Sequence, residues 1–344
     1  MRVCILGATG LVGRESLELC ARAWPGATLD LYASRDQTLV LGGREWPVRG
    51  AARLEAADAP RGDLALVALD DAHSARYVPR LVELGYRVVD KSNTYRADPE
   101  VPLAVAGVNH HRVVDGTRLV ANPNCTTIPL VLALQPLRRA FDVVDVAVST
   151  YQAVSGAGIV ALDEFLARSS AGYREPERLG VALDVAAYAG NTVPHNGKTD
   201  EGGYSAEERK LMFESRKIME LPELPICAQA CRVPVAVGHY ENVWVTLGRP
   251  ATLADVAEVL GDPRTPYLRY FPGSAGDGLT ALATVHDRDR TLVGRLRLDA
   301  RDTSGRRLCL TVAGDNLRVG AATNAVRVAS RWFPSADPEL QSPS

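Results

Sequence analysis

The chain has 344 residues, 46% hydrophobic and 23% charged, with a formal net charge of -2, which describes an ordinary globular protein long enough for two cores. Near-neutral charge without a basic tract argues against nucleic acid as the main partner, and no run of about 18 apolar residues suggests a membrane span. The six cysteines are scattered, with Cys227 and Cys231 as C-x-x-x-C lacking a second pair, so neither a disulfide framework nor a zinc site is expected.

Arg2 to Leu6 is an apolar run ending in 7-GATGLVG-13, after which Leu17, Leu19, Cys20 and Trp24 recur with helical spacing before Pro25-Gly26. The alternation repeats with strands over Thr28 to Ala33, Asp63 to Leu69 and Tyr86 to Asp90, and a helix over Ala72 to Leu84, which implies a parallel sheet. Short apolar runs follow at Val101 to Ala106 and Arg118 to Ala121, before a helix starting near Cys125. After about residue 140 the pattern changes: a long strand over Val143 to Gln152, a helix over Ile159 to Ala167, an irregular stretch over 170 to 200, and a helix over Ser205 to Met219. Strands over Cys231 to Val237 and Asn242 to Leu247, a helix over Leu253 to Leu260, and alternating strands from Leu279 to Ala313 predict an antiparallel sheet with helices on one face. Residues 320 to 333 read as a final amphipathic helix, followed by a frayed tail. The opening MRVCILGATG carries no basic leader or small-residue cleavage site, so a cytoplasmic location with reduced thiols is expected.

Two stretches carry chemistry. In 7-GATGLVG-13, Gly7, Gly10 and Gly13 lie directly after a strand and before a helix, where bare backbone and a helix N-terminus can receive a pyrophosphate. Ala8, Thr9, Leu11 and Val12 complete that candidate cofactor-binding loop. The second strand runs into Ser34 and Arg35, which favour the 2′-phosphate of NADP(H) over NAD, although Asp36 follows. In 121-ANPNCTTIP-129 a strand gives way to a helix at Cys125, and unpaired N–H groups at that corner favour a thiolate and an oxyanion beside it. Asn124 is a candidate to hold the oxyanion.

Several stretches together resemble the aspartate-β-semialdehyde dehydrogenase family: GATGLVG, VVDKSNTYR, VPLAVAGVN, ANPNCTTIP, STYQAVSGAG, GYSAEERK, ACRVPVAVGH and DNLRVGAATNAVRVA. They stand in the family's order over almost the whole chain. The resemblance implies an α/β fold, with a Rossmann-type dinucleotide-binding domain over residues 1–127 plus 315–344 and an inserted α+β catalytic and dimerisation domain over 128–314. It implies an NADP-dependent oxidoreductase of lysine, threonine and methionine biosynthesis that reduces L-aspartyl-4-phosphate to the semialdehyde and inorganic phosphate, acting as a homodimer on a small-molecule substrate. Cys125 stands in the family's nucleophile position, and a thioester is the sensible intermediate because sulfur donates poorly into the carbonyl. His239 resembles the acid/base and Gln152 the amide that orients the acyl carbonyl. Arg232 matches the arginine for the substrate carboxylate, Glu207 and Lys210 the pair for its ammonium and phosphate, and Arg96 a second phosphate-binding cation. Ser155, Gly156 and Asn316 resemble positions close to the coenzyme, and His195 a structural position.

The chain departs from the family at Lys91, where an asparagine is common, and at Gly107, where a glutamate is common, two changes toward positive charge near the expected phosphate-binding region. A secondary-pathway paralogue acting on a related acyl phosphate, an N-acetylglutamyl-phosphate reductase and a catalytically silent NADP-binding dimer are the competing readings. The second leaves Glu207 without an ammonium to pair, and the third should have lost Cys125 or His239.

Overall fold

The computed structural model describes residues 1–170, 186–194, 199–273 and 278–342; His195 and most of the stretch expected to be irregular lie outside them. The chain divides into two compact units, Met1–Asn124 with Gly320–Ser344, and Cys125–Val319.

The first unit is built on a seven-stranded sheet of order β3-β4-β2-β1-β5-β6-β7. Its strands are β1 (Arg2–Leu6), β2 (Thr28–Ala33), β3 (Gln37–Leu41), β4 (Arg44–Gly50), β5 (Leu64–Val67), β6 (Arg87–Asp90) and β7 (Leu119–Ala121), with helices α1 (Leu11–Ala23) and α2 (Asp71–Glu83). β1 pairs in parallel with both β2 and β5, so the chain reverses its direction of winding at the C-terminal end of β1. Both faces of the sheet are covered, as the unbroken apolar run VCIL requires. Val3 and Ile5 face one core with Leu17 and Cys20 of α1 and Val326 of the final helix, while Cys4 and Leu6 face the other with Tyr77 and Leu81 of α2. Residues 101 to 106 make only an isolated bridge, Leu103 to Ala121, not a strand. The hairpin β3–β4 is antiparallel and was not anticipated; Gly42 and Gly43, at φ 59° and 73°, form its two-residue turn.

The second unit has a seven-stranded sheet of order β12-β13-β14-β11-β8-β10-β9. Its strands are β8 (Val143–Gln152), β9 (Val193–Pro194), β10 (Ile226–Arg232), β11 (His239–Leu247), β12 (Leu268–Tyr270), β13 (Thr291–Leu298) and β14 (Arg307–Gly314). Its helices are α3 (Thr127–Phe141), α4 (Ile159–Ser170), α5 (Ala206–Met219) and α6 (Leu253–Leu260). The sheet is mixed rather than antiparallel, because β10 runs parallel to β8 and β12 parallel to β13. Helices α5 and α6 each pack against α3, and all three pack on the sheet. Residues alternate accordingly along β11: Glu241, Val243 and Val245 are buried beneath the helices, while Tyr240, Asn242 and Trp244 are half-buried on the opposite face. α3 is buried from Thr127 to Leu137, so it is the apolar axis of this unit.

Three further expectations need correction. The valine-rich run ends as a strand at Arg232, since Pro234 cannot donate to a ladder, and residues 233–238 form a connection to β11. Leu282–His286 is a short 3-10 turn, not a strand. The last helix, α7 (Thr323–Ala329), is preceded by a π-turn over Arg318–Ala322 and is buried on every side rather than amphipathic. Asn324 fixes it in place: its Oδ1 accepts from the Ala106 N–H at 3.0 Å and its Nδ2 donates to the Asn122 Oδ1 at 2.8 Å.

Candidate active site

Cys125 lies in the turn between β7 and α3, two residues before the helix begins. The Thr126 side chain does not cap α3, and the N–H groups of a helix's first turn favour an acceptor placed at its start. Pro129 belongs to that turn, where a missing N–H costs nothing. It packs against Gly314, and Gly314 is the register partner of His239 across β14 and β11. A Cβ at Gly314 would come within 2.9 Å of the Pro129 ring, so the glycine lets the helix start lie close to His239.

The Cys125 Sγ stands 3.1 Å from the His239 Nε2. His239 is fully buried, and its Nδ1 accepts from the Ala153 N–H at 2.9 Å. With Nδ1 occupied as an acceptor, the hydrogen-bond network assigns the proton of the neutral ring to Nε2, where it faces the sulfur. That arrangement can stabilise a thiolate and can supply a proton to an oxygen on a carbon bonded to the sulfur. Gly238, at φ +100°, turns the chain into β11; a Cβ there would meet the Ala281 carbonyl oxygen at 2.2 Å.

The turn after β8 gathers the remaining groups of this unit. Arg232 is 7% exposed and donates from Nη1 to the Ala153 carbonyl at 2.7 Å. A Cβ at Gly156 would stand 2.8 Å from that Nη1 and 3.3 Å from the His239 Cε1, so the bare backbone of the turn lies close to both side chains. Gln152 is buried, with its Nε2 donating to the Thr150 Oγ1 at 3.3 Å. Asn316 serves this turn: its Nδ2 donates to the Ser155 Oγ at 2.9 Å and its Oδ1 accepts from the Gly238 N–H at 3.0 Å. On α5, which packs on β10, Glu207 and Lys210 form an ion pair of 2.8 Å with the carboxylate almost wholly buried. A capping box of Ser205 and Glu208 fixes the start of that helix.

The first unit carries the other expected residues. Gly7 and Ala8 donate to the Tyr32 carbonyl at 2.9 and 3.0 Å, which ties the glycine turn to the end of β2. Gly7 has φ +89°, and Cβ atoms at Gly7 and Gly13 would meet the carbonyl oxygens of Ala68 and Gly7 at 2.4 and 2.1 Å. Gly10 is different: a Cβ there would meet only the Gly7 oxygen, at 3.4 Å, so its open face and the absence of a side-chain cap on α1 leave the helix start bare. Thr9 accepts from Arg14, and Leu11 and Val12 open the helix. Ser34 and Arg35 are exposed just past β2. These features fit a dinucleotide pyrophosphate at the reversal point of the sheet. A cleft nearby is lined by Val12, Ser16, Ala68, Lys91, Asn122 and Ala322. Lys91 therefore borders the nucleotide side, while Arg96 donates to its carbonyl at 2.6 Å. Gly107 has φ +92°, a conformation that a glutamate would adopt only with strain. Asn124 is the last residue of this unit and is buried.

No pattern of residues points to Ala153 or Gly314, which act through backbone or through a missing side chain. Glu241 was detectable in principle as an acid at an inward position of the alternating run HYENVWV.

Residues 2–115 match the model of the semialdehyde dehydrogenase NAD binding domain, and residues 134–319 that of the semialdehyde dehydrogenase dimerisation domain. The chain is 35% identical over 335 residues to the aspartate-semialdehyde dehydrogenase of Aquifex aeolicus, covering 95% of this chain and 96% of the relative. Its identity to the Bacillus subtilis aspartate-semialdehyde dehydrogenase is 34% over 341 residues, covering 96% of each. The crystal structure of aspartate semialdehyde dehydrogenase II from Vibrio cholerae, complexed with ASA, superposes with a TM-score of 0.86 at 32% identity, covering 96% of this chain and 97% of that one.

Proposed function

The chain belongs to the aspartate-semialdehyde dehydrogenase family, and from that membership we propose that it reduces L-aspartyl-4-phosphate to L-aspartate 4-semialdehyde and phosphate through a thioester on Cys125. The observation that carries the assignment of the nucleophile is the 3.1 Å approach of the Cys125 Sγ to the His239 Nε2 at the uncapped start of α3.

Cys125 attacks the acyl carbon, phosphate leaves, and the helix N–H groups with Asn124 receive the oxyanion. Arg232 holds the substrate carboxylate in a buried two-pronged contact, and Glu207 answers its ammonium. Lys210 binds the phosphate, and Gln152 orients the acyl group. The coenzyme, when bound, supplies the hydride that reduces the thioester. His239 then manages the proton as the semialdehyde is released and the thiolate is restored. Gly7 to Gly13 would hold the pyrophosphate, and in the second unit Asn316 fixes the turn of Ser155 and Gly156. Ser34 and Arg35 support NADP(H) as the coenzyme rather than NAD, and the dimerisation domain supports a homodimer. No helix among the described residues is long and apolar enough to cross a membrane.

The direct test runs the reaction backwards: protein, NADP, phosphate and L-aspartate semialdehyde, followed by absorbance of the reduced coenzyme. Phosphate-dependent NADPH formation is expected. Formation from N-acetylglutamate semialdehyde instead, or from neither aldehyde, would overturn the substrate assignment.

A further inference from the structure

The end of β2 carries two residues that contradict each other chemically. Arg35 suits a 2′-phosphate, whereas Asp36 could accept hydrogen bonds from free ribose hydroxyls and would repel a phosphate. The Tyr32 carbonyl accepts from the N–H groups of Gly7 and Ala8, so the residues just past Ala33 stand beside the glycine turn, where the adenosine ribose of a dinucleotide is read.

The fold resolves the conflict by engaging Asp36 elsewhere. β4 runs parallel to β2 with Gly50 opposite Ala33, and the Asp36 Oδ1 accepts from the Gly50 N–H at 2.6 Å. Arg53, in the 3-10 turn Ala51–Glu55 directly after β4, donates from Nε to the same oxygen at 3.2 Å and from Nη2 to Oδ2. Both carboxylate oxygens are thus bonded to groups on the β4 side. The Arg53 bond, followed by the Gly50 N–H, holds the Asp36 carboxyl below its ordinary range, so protonation does not relieve the conflict at neutral pH. Gly50 allows the approach: a Cβ there would already lie 3.4 Å from the Asp36 Oδ1 and 3.6 Å from the Arg35 Cα. The two side chains are 57% and 62% exposed, so their bond adds little to stability and its effect is on the field at the corner.

Resting on the reading that the coenzyme carries a 2′-phosphate, we propose that Arg53 is a specificity-determining residue that acts through Asp36. By neutralising Asp36, it leaves the charge of Arg35 uncompensated and makes the corner receptive to NADP(H). Without Arg53, the charges of Arg35 and Asp36 cancel, and the freed carboxylate serves the ribose of NAD(H).

The test is fluorescence titration of the intact protein with NADPH and with NADH, for wild type, Arg53→Gln, Asp36→Asn and the double variant. The wild type should bind NADPH more tightly. Arg53→Gln should narrow that preference about tenfold, the order expected of one unit charge a few ångströms from a surface phosphate. Asp36→Asn should keep or widen the preference, and the double variant should restore it to near the wild-type ratio. An unchanged ratio in Arg53→Gln overturns the inference while leaving the coenzyme reading intact. A double variant as impaired as Arg53→Gln overturns it differently, because Arg53 would then act on the phosphate itself. A wild type without preference for NADPH removes the coenzyme reading and this inference with it. Since the pair is exposed, circular dichroism should show all the variants folded.

Discussion

Cys125 and His239 are separated by 114 residues in sequence and by 3.1 Å in space, and the proposed chemistry depends on that separation being held. Cys125→Ser replaces a good nucleophile by a poor one of similar size, so turnover should fall by about a thousandfold or more while NADPH affinity stays nearly intact. Steady-state kinetics with a parallel coenzyme titration decides the matter, and lost coenzyme binding would make Cys125 structural. Glu241, two residues from His239 on the same inward face, is a different case. Both its carboxylate oxygens are buried without a hydrogen-bond partner among the described residues, and burial raises its pKa well above the ordinary carboxylate value. A carboxyl with a raised folded pKa contributes fully below its unfolded value and loses that contribution as pH rises toward the folded value. Glu241→Gln removes the penalty. Its melting temperature should therefore exceed that of the wild type at pH 8 and approach it near pH 4, by roughly 2–4 °C for each kcal/mol relieved. Equal differences at both pH values would show that ionisation of Glu241 plays no part.

At the scale of elements, the glycine turn and α1 are one object. A Cβ at Gly13 would stand 2.1 Å from the Gly7 carbonyl oxygen and 2.8 Å from the Ala8 Cα, both backbone atoms that cannot step aside alone. Gly13→Ala should cost about 1–3 kcal/mol or more and abolish coenzyme binding, read by urea denaturation and NADPH titration. Gly26→Ala, with nothing within 4 Å of its Cβ, should change stability by about 0.5 kcal/mol at most. The same turn shows what could be read beforehand. Arg2 to Leu6, the glycine spacing and the helical recurrence after it were legible because local rules and tertiary packing agree there. The Cys125 corner was legible for the same reason. The β3–β4 hairpin was missed although Gly42-Gly43 signals its turn, because its strands mix charged and apolar residues without clean alternation. The amphipathic expectation for the last helix failed because polarity in Asn324 and Arg327 reads as exposure. Asn324 is in fact buried with its amide fully occupied by Ala104, Ala106 and Asn122, and the Arg327 guanidinium is held by the Glu339 carbonyl.

At the scale of the whole molecule, the chain leaves its first unit at Asn124 and returns to it only at Gly320. The returning residues are core, not appendage: Ala322, Val326, Val328 and Leu340 share one cluster with Val3, Ile5 and Leu17. A chain ending at Val319 should therefore lose NADPH binding, and titration of that truncated protein checks it; binding at full strength would mean that the first unit closes without its last segment. This connectivity imposes an order on synthesis. β1 is among the first segments to leave the ribosome, yet its partners in Gly320–Ser344 are the last to be translated. At elongation rates of roughly 5–20 residues per second the interval is on the order of ten seconds or more. Throughout it the half-built sheet shows an apolar face to the cell, which makes the nascent chain a natural client for chaperones and makes late nonsense codons far more damaging than their position suggests.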